Sequence, residues 1–417
     1  CSSDLLADST VYGTFNTALE SVSATGASAG PASDVRQTQR VTSNTSKIGF
    51  KGHEDLGNGL KALWQVEQEV SIDDGGARKG AWAGRNSFVG LEGGFGKVLL
   101  GNHDSAYKMF GYLVPLEDGS ADFTGKDGLI NRVSRLKNSV QYRSPELAGW
   151  LLGASYAADE ARTQTSNGQR SNGQVWALAA RYRQDALQAG VAFQRNGEQL
   201  SGNSLLANHQ DFWKASLRYT LGSTELGVGV EHERMDMARG RDQRQTAWMA
   251  AATQRLGAWT LGLAYARLGS RQGADTAMLK AADYQADQWA LSASYGLSKR
   301  TQLYGFYTRL NNHAAATRNF DSSAINATND VNAITDCPAI GAIASFHAGN
   351  DPMACESDRA MSASHASVMV FEGIRADGMM KAFWAKASEA EGVTVALDLW
   401  SVGILLFDSH LHKHYYK

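Results

Sequence analysis

The sequence predicts an all-β protein whose antiparallel strands close into a membrane-spanning barrel. Three observations carry this. Short segments alternate apolar and polar residues, their connections alternate strictly between short and long, and the 417 residues include 43 Gly but only 5 Pro. Pro cannot donate to a ladder, so its scarcity suits a chain that is nearly all hydrogen-bonded strand. Gly suits tight turns and close strand approach.

The alternation is clearest from Leu60 to Val70. Leu60, Ala62, Trp64, Val66 and Val70 are apolar, and Lys61, Gln65, Glu67 and Glu69 are polar. Period two marks a strand with one apolar and one wet face. The same pattern places strands near 9–24, 38–53, 59–73, 84–94, 97–103, 135–145, 149–159, 173–183, 187–196, 210–220, 224–234, 242–255, 258–269, 283–297 and 300–311.

A soluble sandwich would turn the apolar faces inward, whereas a membrane barrel turns them to lipid and lines a lumen with the polar ones. The connections decide between them. Residues 55–59, 93–96, 145–149, 221–223, 256–258 and 297–299 are short links; 25–37, 74–83, 104–134 and 160–172 are long, polar and Gly-rich. Tight turns at one end and long loops at the other mark an outer-membrane barrel. No segment approaches the roughly 18 apolar residues of a membrane helix, but a barrel strand needs only about 9–11 with alternate residues facing lipid. Tyr12, Trp64, Tyr142, Trp150, Trp176, Trp213, Tyr219, Trp248, Trp259, Tyr304 and Tyr307 gather near strand ends, as interfacial girdles do.

The formal charge of −2, with no basic tract, gives no sign of nucleic-acid binding. There is no GxSxG, GxxxxGK[ST] or HExxH motif, and no Cys or His pattern at metal spacing. The expectation is therefore no enzyme and no cofactor. A substrate-specific outer-membrane channel or an adhesin-like barrel is the serious alternative to a diffusion channel. The charged and amide residues at inward positions speak against the aromatic track of a sugar channel.

Several ordered motifs then resemble one family. Ser46-Lys47-Ile48-Gly49-Phe50-Lys51-Gly52, Glu54 through Ala62, and Trp64-Gln65-Val66-Glu67 are similar to the general porins of Neisseria, Bordetella and Burkholderia. So are Gly84 through Leu91, Gly94-Phe95-Gly96-Lys97-Val98, Asn138 through Pro145, and Tyr295 through Thr301, while Asp8 through Thr14 resembles the family's mature start. The resemblance covers roughly residues 8–320. It implies a 16-stranded homotrimeric barrel in the outer membrane, contacting lipopolysaccharide, inserted by the barrel-assembly machinery and passing small ions and hydrophilic solutes. It also implies that the third long loop narrows the lumen. That loop is 104–134, with Asp104, Glu117, Asp118, Asp122, Asp127 and Arg132; the facing wall would hold Lys47, Arg85 and Arg135, with Glu67 nearby. Strand parity separately turns Lys47, Arg85 and Arg135 away from lipid. Asn102 stands where the family usually has Arg, which removes one positive charge from the expected constriction.

The ends depart from the pattern. Residues 1–7 read as a leader remnant or a lipoprotein start, 8–355 as the barrel, and 356–417 as an atypical tail. Family members end in an aromatic closing strand, and this chain ends His-Tyr-Tyr-Lys. A slip of reading frame near Cys355 would explain the tail; a genuine extension with its own strand at 366–374 and a helix over 379–397 is the other reading. Cys337 and Cys355 are candidates for a disulfide across the last loop, and the His residues at 410, 412 and 414 read as an exposed tail rather than a metal patch.

Overall fold

The computed structural model describes residues 8–27, 30–75, 82–125, 127–133, 135–320 and 334–348, together with four short strands nearer the C-terminus. The chain divides into two compact units, the larger of which contains Thr14–Ala344. Its strands form a closed 16-strand antiparallel barrel. Each strand pairs with its sequence neighbours, and Ile334–Ala348 pairs with the first strand, Asp8–Thr25, to close the ring. Each of the fifteen expected strands is present.

Two staves are interrupted. The second runs as Val35–Ser43 and Lys47–Gly57, broken where Thr45 takes a φ of 56°. The ladder stays satisfied there because the Ser46 hydroxyl accepts from the Asn16 amide at 2.9 Å and donates to the Asn16 carbonyl at 3.0 Å. The ninth runs as Leu187–Asn196 and Gln199–Ser201.

The closing strand is Ile334–Ala348, within the expected 8–355 and ahead of residues 356–417. Cys337 lies within it, opposite Thr308, rather than in a loop. Cys337 is a buried, free thiol among the described residues, and its candidate partner Cys355 lies outside them. The second unit comprises Asp8–Gly13 and Ser345–Lys417. It contains a four-stranded sheet of Ser367–Glu372, Val395–Leu399, Val402–Phe407 and His414–Tyr416, with the first strand beside the third and the second beside the fourth. Val395–Leu399 is strand where helix was expected; residues 379–394 and the His residues at 410 and 412 lie outside the described residues.

Burial in the barrel is inside out. In Thr224–Met237, Leu226, Val228 and Val230 are exposed while Gly227, Gly229, Glu231 and Glu233 are buried. Apolar side chains meet lipid, and polar ones meet the lumen or its contents. The aromatic girdle pairs across strands: Trp150–Tyr182 at 5.0 Å, Trp259–Tyr295 at 5.0 Å, Tyr156–Trp176 at 4.7 Å and Trp248–Tyr265 at 5.3 Å. Tyr304 is not a girdle residue. It faces inward, its hydroxyl donating to Asn16 Oδ1 at 2.7 Å.

Glycines on the inner wall do more than make turns. A Cβ at Gly153 would meet Met109, at Gly190 Phe110, at Gly229 Tyr112, at Gly227 Leu113 and at Gly262 Pro115. These glycines clear a track along which the connection 105–134 lies against the wall. Gly229→Val should therefore push Tyr112 off the wall, at a cost of about 1–3 kcal/mol for overpacking. The barrel should keep its far-UV circular dichroism while single-channel conductance falls; unchanged conductance would show that the loop does not lie on this track.

Candidate pore constriction

The connection after Gly96–Asp104 turns inward through a 3-10 turn at Ala106–Lys108. Wall hydroxyls and amides capture its start: the Ala106 amide donates to Ser155 Oγ at 2.6 Å, and Ser105 Oγ donates to Gln194 Oε1 at 2.7 Å. Phe123, Leu129 and Ile130 form the loop's own buried core, where the Leu129 amide donates a hydrogen bond to the Phe123 carbonyl at 2.8 Å.

Two buried charged clamps hold the loop. Arg132 pairs through Nε with Glu231 at 3.0 Å and through Nη1 with Glu233 at 2.9 Å, and Tyr107 donates to the other Glu231 oxygen at 2.8 Å. Lys214, on the wall, donates to the Phe110 carbonyl at 2.6 Å and to Asn131 Oδ1 at 3.1 Å. Its ammonium also lies over the Tyr107, Phe110 and Tyr112 rings at 4.7, 4.5 and 5.3 Å. On the far side of the lumen Ser120 donates to Glu20 at 2.9 Å, and Gln288 donates to the Ser120 carbonyl at 2.9 Å. Glu20 is in turn paired with Arg40 at 2.7 Å. The loop thus spans the lumen from the Leu187–Met237 wall to the first strand.

Glu117 and Asp118 lie at its turn, where Asp118 adopts a φ of 61° and its carbonyl accepts from Asn16 at 3.2 Å. Glu117 is exposed to the lumen within electrostatic reach of Lys47 and Arg218. Although its side chain reaches the lumen, the surrounding loop and wall desolvate its carboxyl and, with Asp118, push it above the usual range against the pull of the two cations. Arg85 lies within reach of Asp118 and pairs with Glu67 at 2.7 Å and Glu69 at 3.4 Å. Lys47 sits opposite Glu69 in register and forms no ion pair among the described residues. Asn102 donates to the Arg85 carbonyl at 2.8 Å and steadies that segment.

Other expected residues take different places. Asp104 does not oppose the wall; it ends a wall strand opposite Arg135 and lies 3.5 Å from it, with Lys108 also at 3.5 Å. Arg135 donates to Asn86 at 2.7 Å. Its strand carries an extra residue between Leu136 and Ser139, so simple parity from Val140 back to Arg135 breaks, and Leu136 is the buried residue. Asp122 is a turn-former: it accepts from the Thr124 amide and hydroxyl at 2.8 and 2.7 Å and from the Asp118 amide at 3.1 Å. Asp127 contributes its carbonyl to the Asn319 amide at 3.1 Å. Arg132 is an anchor. Sequence reasoning did not single out Glu231, Glu233 or Lys214; each lies in a strand whose alternation was the available signal.

A charged, loop-narrowed lumen inside a lipid-facing barrel defines an outer-membrane channel. The family described as Gram-negative porin matches residues 2–315. The major outer membrane protein P.IB of Neisseria meningitidis (serogroup A) is 32% identical over 307 residues, covering 71% of this chain and 85% of that protein. The corresponding Neisseria gonorrhoeae protein is 33% identical over 319 residues, covering 71% and 86%. Among solved structures, an anion-selective porin from Comamonas acidovorans aligns with a TM-score of 0.64 at 24% identity, over 82% of this chain and 100% of that one. OmpT of Vibrio cholerae aligns at 0.59 and 16% identity, over 83% and 99%. The chain belongs to the Gram-negative porin family and is an integral outer-membrane β-barrel porin.

Removing one partner of a buried ion pair costs about 3–5 kcal/mol. Arg132→Met should therefore free the loop while the barrel persists, and proteolysis of folded protein should cut within 105–134 where the parent resists. Equal resistance would contradict the clamp. Asp122 predicts a pH dependence. Burial pushes its carboxyl up to about 7, against its bonds from Thr124, so the docked loop favours the protonated form. Between the ordinary carboxylate range and about pH 7 the docked loop holds the proton better than a freed one. Docking should weaken as pH rises through that window and then level off. Open-channel noise should rise accordingly, and Asp122→Asn should flatten the profile.

Proposed function

We propose that this porin passes ions and small hydrophilic solutes by passive diffusion through an eyelet. Its sides are Glu117 and Asp118 on the loop against Lys47 and Arg85 on the wall. The observation that carries the reading is the pair of acids held at the loop's turn within reach of those two cations. Fixed charges across a gap set ion preference, while the gap sets the size cut-off. Glu67 and Glu69 temper Arg85, and Asp104 tempers Arg135 nearer the mouth, so the wall is mixed rather than purely basic. Asp122 and Arg132 position the loop, and Asp127 ties its return limb to Asn319.

The working unit in this reading is a homotrimer. One solved structure of Vibrio cholerae OmpT, itself described as a trimer form, supports this as a fold-level likeness. Lipopolysaccharide around the rim and insertion by the assembly machinery follow from residence in the outer membrane. The lumen is read as a conduit without catalysis.

Planar-bilayer recording of the purified chain tests the reading. Stepwise ohmic conductance is expected, and its absence would overturn the proposal. In a salt gradient, Glu117→Gln with Asp118→Asn should move the reversal potential toward anion preference, and Lys47→Gln with Arg85→Gln should move it toward cation preference. Shifts of the same sign, or none, would exclude these residues from the eyelet.

A further inference from the structure

Beyond the eyelet, a cavity of about 590 Å³ lies where the loop's return limb meets the wall. Among the described residues its charged lining is one-sided: Arg132, Arg135, Lys137, Arg271 and Arg318 against one carboxylate, Glu233. Glu233 is outnumbered, accepting at once from Arg132 at 2.9 Å, Arg271 at 3.5 Å and Gln210 at 2.6 Å. The outer carboxylates do not restore balance. Glu231 is shared between Arg132 and Tyr107, and Asp104 between Arg135 and Lys108. Asp127 lies within electrostatic reach of Arg318, but Arg318 makes no ion pair among the described residues. Its side chain donates to the Gly128 carbonyl at 3.4 Å. Burial, then Arg132 and Arg271, pull the Arg318 guanidinium down to about 10.

A second observation is independent of charge counting. Arg132 Nη2 is buried and has no hydrogen-bond partner among the described residues, while Nε and Nη1 pair with Glu231 and Glu233. A buried, unpartnered guanidinium nitrogen is costly unless something accepts from it.

We propose that this cavity is a binding site for a compact oxyanion carrying two or more negative charges, of the phosphate or pyrophosphate class, held by Arg132, Arg271 and Arg318. Planar guanidinium forks match oxyanion edges, and three converging from the loop, from the 269–285 connection and from the segment after Thr301–Asn312 enclose such a group from separate directions. The site lies apart from Lys47 and Arg85, and would hold the solute before it reaches the eyelet.

Isothermal titration of inorganic pyrophosphate into the detergent-solubilised full chain, at constant ionic strength in chloride, tests the site. Saturable binding is expected, weakened at least tenfold in R271Q/R318Q. R271K/R318K should fall between, because it keeps the charge and loses the forks. Should the glutamine pair not form a heat-modifiable barrel, the lysine pair alone decides: weaker binding supports the site, and parental affinity overturns it. Absence of saturable binding to the parent chain also overturns it. The titration needs no current. Pyrophosphate binding without conductance would sink the diffusion reading alone, and conductance without binding would sink the site alone.

Discussion

In hydrocarbon a backbone amide has no water to turn to, and each unsatisfied group costs several kcal/mol. Every feature of this molecule follows from meeting that constraint with strands. An open edge is excluded, so Ile334–Ala348 must return to the first strand. Once the ring is closed, alternation along each strand turns one set of side chains to lipid and the other to the lumen. That is why Leu226, Val228 and Val230 are exposed while Glu20, Glu231 and Gln288 are fully buried. In a soluble protein that pattern would be ruinous. Here the buried set is polar because a wet lumen lies inside, and because a loop must be held there.

Holding the loop is a separate problem, solved by shape and charge together. Glycines at 153, 190, 227, 229 and 262 remove the side chains that would occupy the wall, and Met109, Phe110, Leu113, Tyr112 and Pro115 fill the vacated track. Apolar contact alone would leave the loop free to slide. The Arg132–Glu231–Glu233 cluster and the Lys214 cage fix its position. Buried ion pairs contribute little net stability relative to apolar packing, because desolvation offsets the Coulomb gain. Their use here is geometric: they fix where Glu117 and Asp118 stand relative to Lys47 and Arg85. Arg132 also lines the cationic cavity, so the clamp and the cavity share that residue.

The strands were legible in the sequence because period two and turn asymmetry are local signals, and all fifteen expected strands are present. The sixteenth was not. Ile334–Ala348 contains Pro338 and a run of small residues, and it lacks the aromatic ending that the resemblance led one to seek further on. Lys47 and Arg85 read as inward charges from parity and the loop acids came through the resemblance, but the partnerships of both were not legible. Arg132 and Glu231 are 99 residues apart, and Asp104 meets Arg135 only because a bulge shifts the strand between them. The glycines at 227 and 229 alternate with lipid-facing Leu226, Val228 and Val230, and that alternation was the one sequence sign of a loop docked on this wall. Gly read as a turn-former conceals it.

The central claim, that the loop crosses a closed lumen and reaches the closing strand, can be tested with a thiol already present. Cys337 on that strand contacts Ser120 on the loop, and both are buried. Mild oxidation of Ser120→Cys protein, folded and purified from membranes, followed by peptide mass spectrometry, reads the distance directly. The account predicts a 120–337 disulfide in the folded barrel, lost when the protein is unfolded before oxidation. A folded barrel in which Cys337 remains free, or pairs elsewhere, would contradict both the docked loop and the register of closure.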